Sequence, residues 1–166
     1  SSLIQDASNG YAKVRSHKFE VNAPDIKEVI WQSETIDISG YNNADIQIDL
    51  ESWTDGEFET EDSIVVSYKI DGGSETVLTK GKHEGAIGNI TGAGSGGYHS
   101  ATATASGLNG DSLDIILKAF CNEDSEIYRF DNILVTASSS GDDPNIASPN
   151  DPGTEVTQLQ YGANQF

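Results

Sequence analysis

The stretch ADIQIDLES, residues 44–52, alternates with a period of two: Ile46, Ile48 and Leu50 fall on one side, Asp45, Gln47 and Asp49 on the other. An extended strand sorts such residues into one apolar and one polar face, whereas a helix would scatter them around its circumference. Comparable strand-like runs recur along the chain. HKFEVN (17–22), ETIDIS (34–39), SIVVSYKI (63–70), SETVLT (74–79), SATATAS (100–106), SLDIILKAF (112–120) and EIYRFDNILVTA (126–137) all read as strands. Asp71-Gly72-Gly73 joins two of them as a β-hairpin, and GLNGD (107–111) turns the chain between two others. The best helix candidate, APDIKEVIW (23–31), is short and runs into β-branched residues. Eight or so short strands between Gly, Asn and Asp turns give the expected fold class: all-β, an antiparallel β-sandwich, with a jelly roll as the expected form.

One strand conflicts with its own alternation. In YRFDNILV (128–135), Tyr128, Phe130, Asn132 and Leu134 share one side, and Arg129, Asp131, Ile133 and Val135 share the other. Whichever side is core takes a polar group with it, and an unpaired buried charge costs several kcal/mol. Asp131 therefore needs a partner, in its own strand through Arg129 or in a metal ion.

Nine Lys+Arg against 27 Asp+Glu leave a formal charge of −18. Nucleic acids and anionic lipids are bound by clustered Lys and Arg, so neither is an expected partner. Sulfated or uronic polysaccharides are disfavoured for the same reason, whereas the acidity is compatible with a divalent cation. No run of eighteen apolar residues is present, so no membrane-spanning helix is expected. Cys121 is the single cysteine, hence there is no disulfide framework within the chain. The sequence begins at Ser1 and has no Met, which fits a processed or excised module of a secreted protein. Four parts are expected: an N-terminal segment (1–15), a β-sandwich module (16–138), a Ser/Asp/Pro-rich linker (139–153) and a strand-like C-terminal segment (154–166). In the last, TEVTQLQY resumes alternation, and it either returns to its own sheet or adds a strand to a neighbour's.

Catalytic signatures are missing. GAGSGG (92–97) has the dinucleotide-loop spacing, but a strand-like YHSATATAS follows it where a helix would be required. His17, His83 and His99 are scattered, and no nucleophile motif surrounds any serine, so the chain is not expected to be an enzyme. Calcium is the expected cofactor, because hard cations take carboxylates and carbonyls gathered from strand ends and loops. Glu20, Asn22, Asp25 and Asp131 are the candidate ligands, since the first and last strands of a jelly roll are commonly neighbours. Trp31 lies among apolar residues and reads as core, but Trp53 sits in the acidic ESWTDGEFETED (51–62). Trp53, Tyr98 and His99 are the candidate ligand-binding residues: an aromatic ring stacks on the C–H face of a sugar while nearby amides and carboxylates bond its hydroxyls.

VIWQSETIDISGYNNADIQIDL, EDSIVVSYKIDGGSETVL and SEIYRFDNILVTAS together resemble a β-sandwich module of secreted, multidomain Bacteroidetes proteins, over about residues 16–138. They also resemble the calcium-binding jelly rolls among carbohydrate-binding modules. That resemblance implies a structural calcium held by Glu20 of FEV and Asp131 of FDNILV, with Asn22 or Asp25 added. It further implies an extracellular, non-catalytic module that binds a neutral polysaccharide or cell-surface glycan. The alternative is an extracellular adhesin or filament subunit that self-associates by strand complementation through residues 154–166.

Overall fold

The computed structural model describes residues 10–22, 28–56, 58–84 and 98–139, and they form strands and turns without a helix. Asp25, the Gly-rich run 92–97 and residues 140–166 lie outside the described residues. The strands are β1 (Tyr11–Arg15), β2 (Lys18–Asn22), β3 (Val29–Gln32), β4 (Ile36–Asp37), β5 (Tyr41–Thr54), β6 (Ser63–Ile70), β7 (Thr76–Glu84), β8 (His99–Leu108), β9 (Ser112–Phe120) and β10 (Glu126–Ser139). Every pairing is antiparallel.

One sheet runs β1-β2-β10-β5-β8 and the other β7-β6-β9-β3, with β4 also on β9; the Thr79↔Thr104 pair of β7 and β8 joins them. This order is a folded ribbon. β2 pairs with β10, β3 with β9, β5 with β8 and β6 with β7, so chain halves run side by side before rolling over into two sheets. That is the jelly-roll connection, which the alternation by itself left open. Ile46, Ile48, Leu50 and Tyr128 of one sheet and Ile64, Val66, Ile115 and Leu117 of the other belong to one buried cluster between them. Full burial of each aliphatic side chain is worth about 1.5–3 kcal/mol. Trp31 joins this layer, its ring 5.4 Å from that of Phe130.

The turn between β6 and β7 has Asp71 at φ 52° and Gly72 at φ 66°, the doubly left-handed geometry that suits the twist of a two-residue hairpin. Asp71 Oδ1 also accepts the N–H groups of Asp111 (2.8 Å) and Ser112 (2.9 Å), tying this turn to the one between β8 and β9.

Two local expectations change. Val29–Gln32, the end of the helix candidate, is a strand, because pairing with β9 satisfies its backbone and turns Val29 and Trp31 to the core. β1 lies before residue 16 yet is part of the sheet, paired over its whole length with β2.

The conflict in YRFDNILV is resolved by a β-bulge. Asp131 pairs with Asp49 but Leu134 pairs with Gln47, so one extra residue enters β10 between them, with Asn132 at φ 51°. The insertion reverses the alternation. Tyr128 and Phe130 face the core before it, Ile133 and Val135 pack against the core after it, and Asp131 stays on the outer face.

Candidate functional site

Two places gather chemistry: the outer face of the β1-β2-β10-β5-β8 sheet and one end of the interior between the sheets. On the outer face, alternation in β5 presents Asp45, Gln47, Asp49, Glu51 and Trp53 away from the buried Ile46, Ile48, Leu50, Ser52 and Thr54. β8 contributes Ser100, Thr102, Thr104 and Ser106, while its Ala101, Ala103 and Ala105 turn inward. Ser52 pairs with His99, so the next step of the same register sets Tyr98 beside Trp53. The Tyr98 ring lies on this face because it covers the Arg129 guanidinium, 3.9 Å from its centroid.

Beneath Tyr98 is a buried ion-pair network. Glu20 is fully buried, and its two carboxylate oxygens accept from Tyr11 Oη (2.5 Å) and Arg129 Nε (2.6 Å), with Arg15 at 3.4 Å. Burial pushes the Glu20 carboxyl up, but the bonds from Tyr11 and Arg129 and the charges of Arg129 and Arg15 outweigh it and hold the group below its ordinary range. Lys18 closes on Glu51, which also lies 3.9 Å from Arg129. Further along the face, Asp49 accepts from Thr102 (3.0 Å) and Asn132 (2.9 Å). Beyond it a shallow pocket of about 210 Å³ is lined by Asp45, Gln47, Thr104, Ser106, Leu134 and Thr136. From Trp53 to Asp45 the strip spans eight residue steps, about 27 Å.

The second place is made by Glu59 and Asp62, which precede β6, and by Glu126, the first residue of β10. One carboxylate oxygen from each lies within 4.8 Å of the others. Glu126 and Asp62 are fully buried and Glu59 is half-buried. Glu126 Oε2 accepts the backbone N–H groups of Asn122 (3.0 Å) and Glu123 (2.9 Å), and Asp62 Oδ2 accepts that of Glu59 (2.6 Å). No donor among the described residues reaches Glu126 Oε1, Asp62 Oδ1, Glu59 Oε2 or the buried Asn122 Oδ1. The cluster sits beside the stacked rings of Phe58 and fully buried Tyr128, 5.1 Å apart, in an apolar setting. Desolvation pushes the Glu126 carboxyl up to about 8, against the pull of the two N–H bonds, and pushes Asp62 up to about 6.

Gathered carboxylates with orphaned buried oxygens, all hard donors without His or Cys among them, fit a hard divalent cation. Such an ion would remove the repulsion and coordinate the oxygens that nothing else reaches. The cluster can therefore hold a metal ion, at residues different from those expected. Of the residues expected to hold it, Glu20 is engaged with Arg129, Arg15 and Tyr11, and Asp131 lies two residues beyond Arg129 on the same outer face, paired with Asp49. Asn22 donates its side-chain amide to the carbonyls of Asp124 and Glu126, both at 2.8 Å, and so braces the loop that carries Glu126.

No family model and no curated protein matches the chain. A solved chain described as "CBM4 structure and function", a carbohydrate-binding module, aligns over 78% of this chain and 89% of its own, with a TM-score of 0.39 and 10% identity.

Of the three expected ligand-binding residues, Trp53 and Tyr98 share the outer face. His99 belongs to the inner-facing register of β8 with Ala101 and Ala103 and is half-buried, so it is separated from its chain neighbour Tyr98. The outer strip itself was hidden in the sequence, because its hydroxyls and amides come from three strands that only the jelly-roll order places side by side.

Proposed function

We propose that the chain is a non-catalytic, secreted carbohydrate-binding module, braced by a structural calcium, that lays a neutral polysaccharide along the outer face of β10, β5 and β8. The observation that carries this reading is the strip itself. Two aromatic side chains, Trp53 and Tyr98, stand at one end of a row of hydroxyl, amide and carboxylate groups long enough for several sugar rings. Rings of this kind stack on sugar C–H faces, and the polar groups bond hydroxyls. Its carboxylates are engaged: Asp45 accepts from the Gly107 N–H, Asp49 from Thr102 and Asn132, Glu51 from Lys18 and Glu20 from Tyr11 and Arg129. Groups committed in this way orient a ligand better than they would shuttle protons. Secretion is supported by the linker-like composition of residues 139–153. Calcium is supported by the orphaned oxygens of Glu59, Asp62 and Glu126.

Affinity electrophoresis against a panel of neutral β-glucans, xylans and mannans tests the glycan reading. Retardation by at least one polymer, reduced tenfold or more in affinity by Trp53→Ala and by Tyr98→Ala, is expected. Unretarded migration on the whole panel, or retardation that both variants share with the parent, sinks it.

A further inference from the structure

In a chain of 27 acids, the fold collects cations at one corner of the outer face. Residues 11–19, most of the β1–β2 hairpin, hold Lys13, Arg15, His17 and Lys18 and neither Asp nor Glu. Alternation puts Tyr11, Lys13 and Arg15 on the outer face of β1, with Ala12 buried behind them. The contacts agree. The Lys13 ammonium lies 3.6 Å over the Tyr11 ring centroid, and Tyr11 and Arg15 both reach Glu20. Arg15 stands directly opposite Lys18, and Arg129 is on the next strand beyond β2. Like charges directly opposite each other across two strands are destabilising, and an anion between them would relieve the cost.

Among the described residues, the acids that face this corner are Glu20, Glu51 and Asp131. Glu20 is buried under Tyr11 and Arg129, and Lys18 closes on Glu51. The step after the Phe19–Phe130 pair sets Asp131 beside Lys18. Lys13, Arg15, Lys18 and Arg129 thus outnumber the acids, and the corner is positive in a chain of charge −18. The Arg15 side chain is 58% exposed and its contact with Glu20 is long, 3.4 Å, so most of its N–H donors remain open to solvent. Lys13 is exposed beside it. Ser16 and His17, at φ 52° and 66°, make the tight turn that suits a two-residue hairpin, so both cations sit on a rigid platform. We infer that Lys13 and Arg15 form a subsite for the carboxylate of a uronic acid branch on the polysaccharide held by the β10-β5-β8 strip.

This inference rests on the glycan reading of the strip and names the kind of branch its main chain carries. The planar fork of an arginine matches a carboxylate through two parallel hydrogen bonds, and a lysine beside it adds a point charge. β1 lies two strand spacings, about 10 Å, from β10 at the border of the strip, a gap that a short branch spans. The same geometry rejects a polymer charged on every ring, whose carboxylates would lie over Asp45, Asp49 and Glu51. At physiological ionic strength the screening length is about 8 Å, so a carboxylate at β1 feels Lys13 and Arg15 far more than the acids of the rest of the chain.

Two measurements on the full chain test the subsite. In an NMR titration, methyl glucuronide is expected to shift the backbone amides of the β1–β2 hairpin, and methyl glucoside to leave them in place. Lys13→Gln/Arg15→Gln, which changes two exposed side chains and keeps the fold, is expected to abolish the shifts. Absence of hairpin shifts up to about 50 mM glucuronide, or shifts that the double variant retains, overturns the inference. In affinity electrophoresis at low salt, glucuronoxylan is expected to bind the parent about fivefold more tightly than its carboxyl-reduced copy, a preference that the double variant loses. Equal retardation of the parent by the two polymers also overturns the inference, while leaving the strip intact. Hairpin shifts with glucuronide but no retardation by any polymer support the carboxylate subsite and sink the strip.

Discussion

Removal of divalent cations should make stability fall as pH rises. In the metal-free fold the Glu126 carboxyl titrates near 8 and that of Asp62 near 6, above their ordinary values of 4.5 and 3.8. Between about pH 4 and 8 the native state then holds protons that the unfolded chain has lost. The stabilisation linked to these protons is fully present below the unfolded values and disappears as pH climbs through the folded ones. At 1.36 kcal/mol per unit, the shared loss is about 3–5 kcal/mol, which lowers Tm by roughly 10 °C for a chain of this size. Calcium at one hundred times its Kd restores about 2.7 kcal/mol. The assay is thermal unfolding at pH 5 and pH 8, in EDTA and in excess calcium. Expected are a melt in EDTA that drops from pH 5 to pH 8, recovery by calcium at pH 8, and a weaker response to both variables in Glu126→Gln. A parent melt in EDTA that is flat between the two pH values, with no calcium response at pH 8, would refute the argument from buried carboxylates.

Two further outcomes follow from the outer face. Arg129→Met strips the fully buried Glu20 of its closest cation and is expected to cost about 3–5 kcal/mol by denaturant unfolding, whereas Glu20→Gln/Arg129→Met should recover much of that loss. Asn132 occupies the left-handed region, so Asn132→Val is expected to destabilise by about 1–3 kcal/mol and Asn132→Gly by less, by the same measurement.

The long strands were legible because burial differs sharply between their faces: β5 alternates over almost its whole length, as its sequence does. β3 was obscured because Ile30 is 46% exposed while Val29 and Trp31 face inward, so an apolar residue on the solvent side erased the pattern. β1 buries only Ala12 completely, too little to announce a strand. The carboxylate cluster left weaker traces still. Glu59 and Asp62 stand three apart in an acidic loop that drew attention through Trp53, and Glu126 is far along the chain. Only the return of β10 to the middle of its sheet brings them together, and the one available signal was an acid at the very start of a strong strand. Trp53 and Tyr98 were found from their polar surroundings, but strand order alone makes them neighbours.

The bulge at Asn132 divides β10 into two lengths whose phases are independent. The first length aligns Glu126 with the carboxylate cluster and Arg129 with Glu20; the second sets Leu134 and Thr136 along the pocket. Substitutions in one length can therefore accumulate without disturbing the other, since neither inherits its facing from its neighbour. Straightening of the junction with all its residues kept is the change this arrangement cannot absorb. It would restore strict alternation and send Ile133 and Val135 to solvent together, whereas deletion of one residue there would remove the bulge and leave both on the core side.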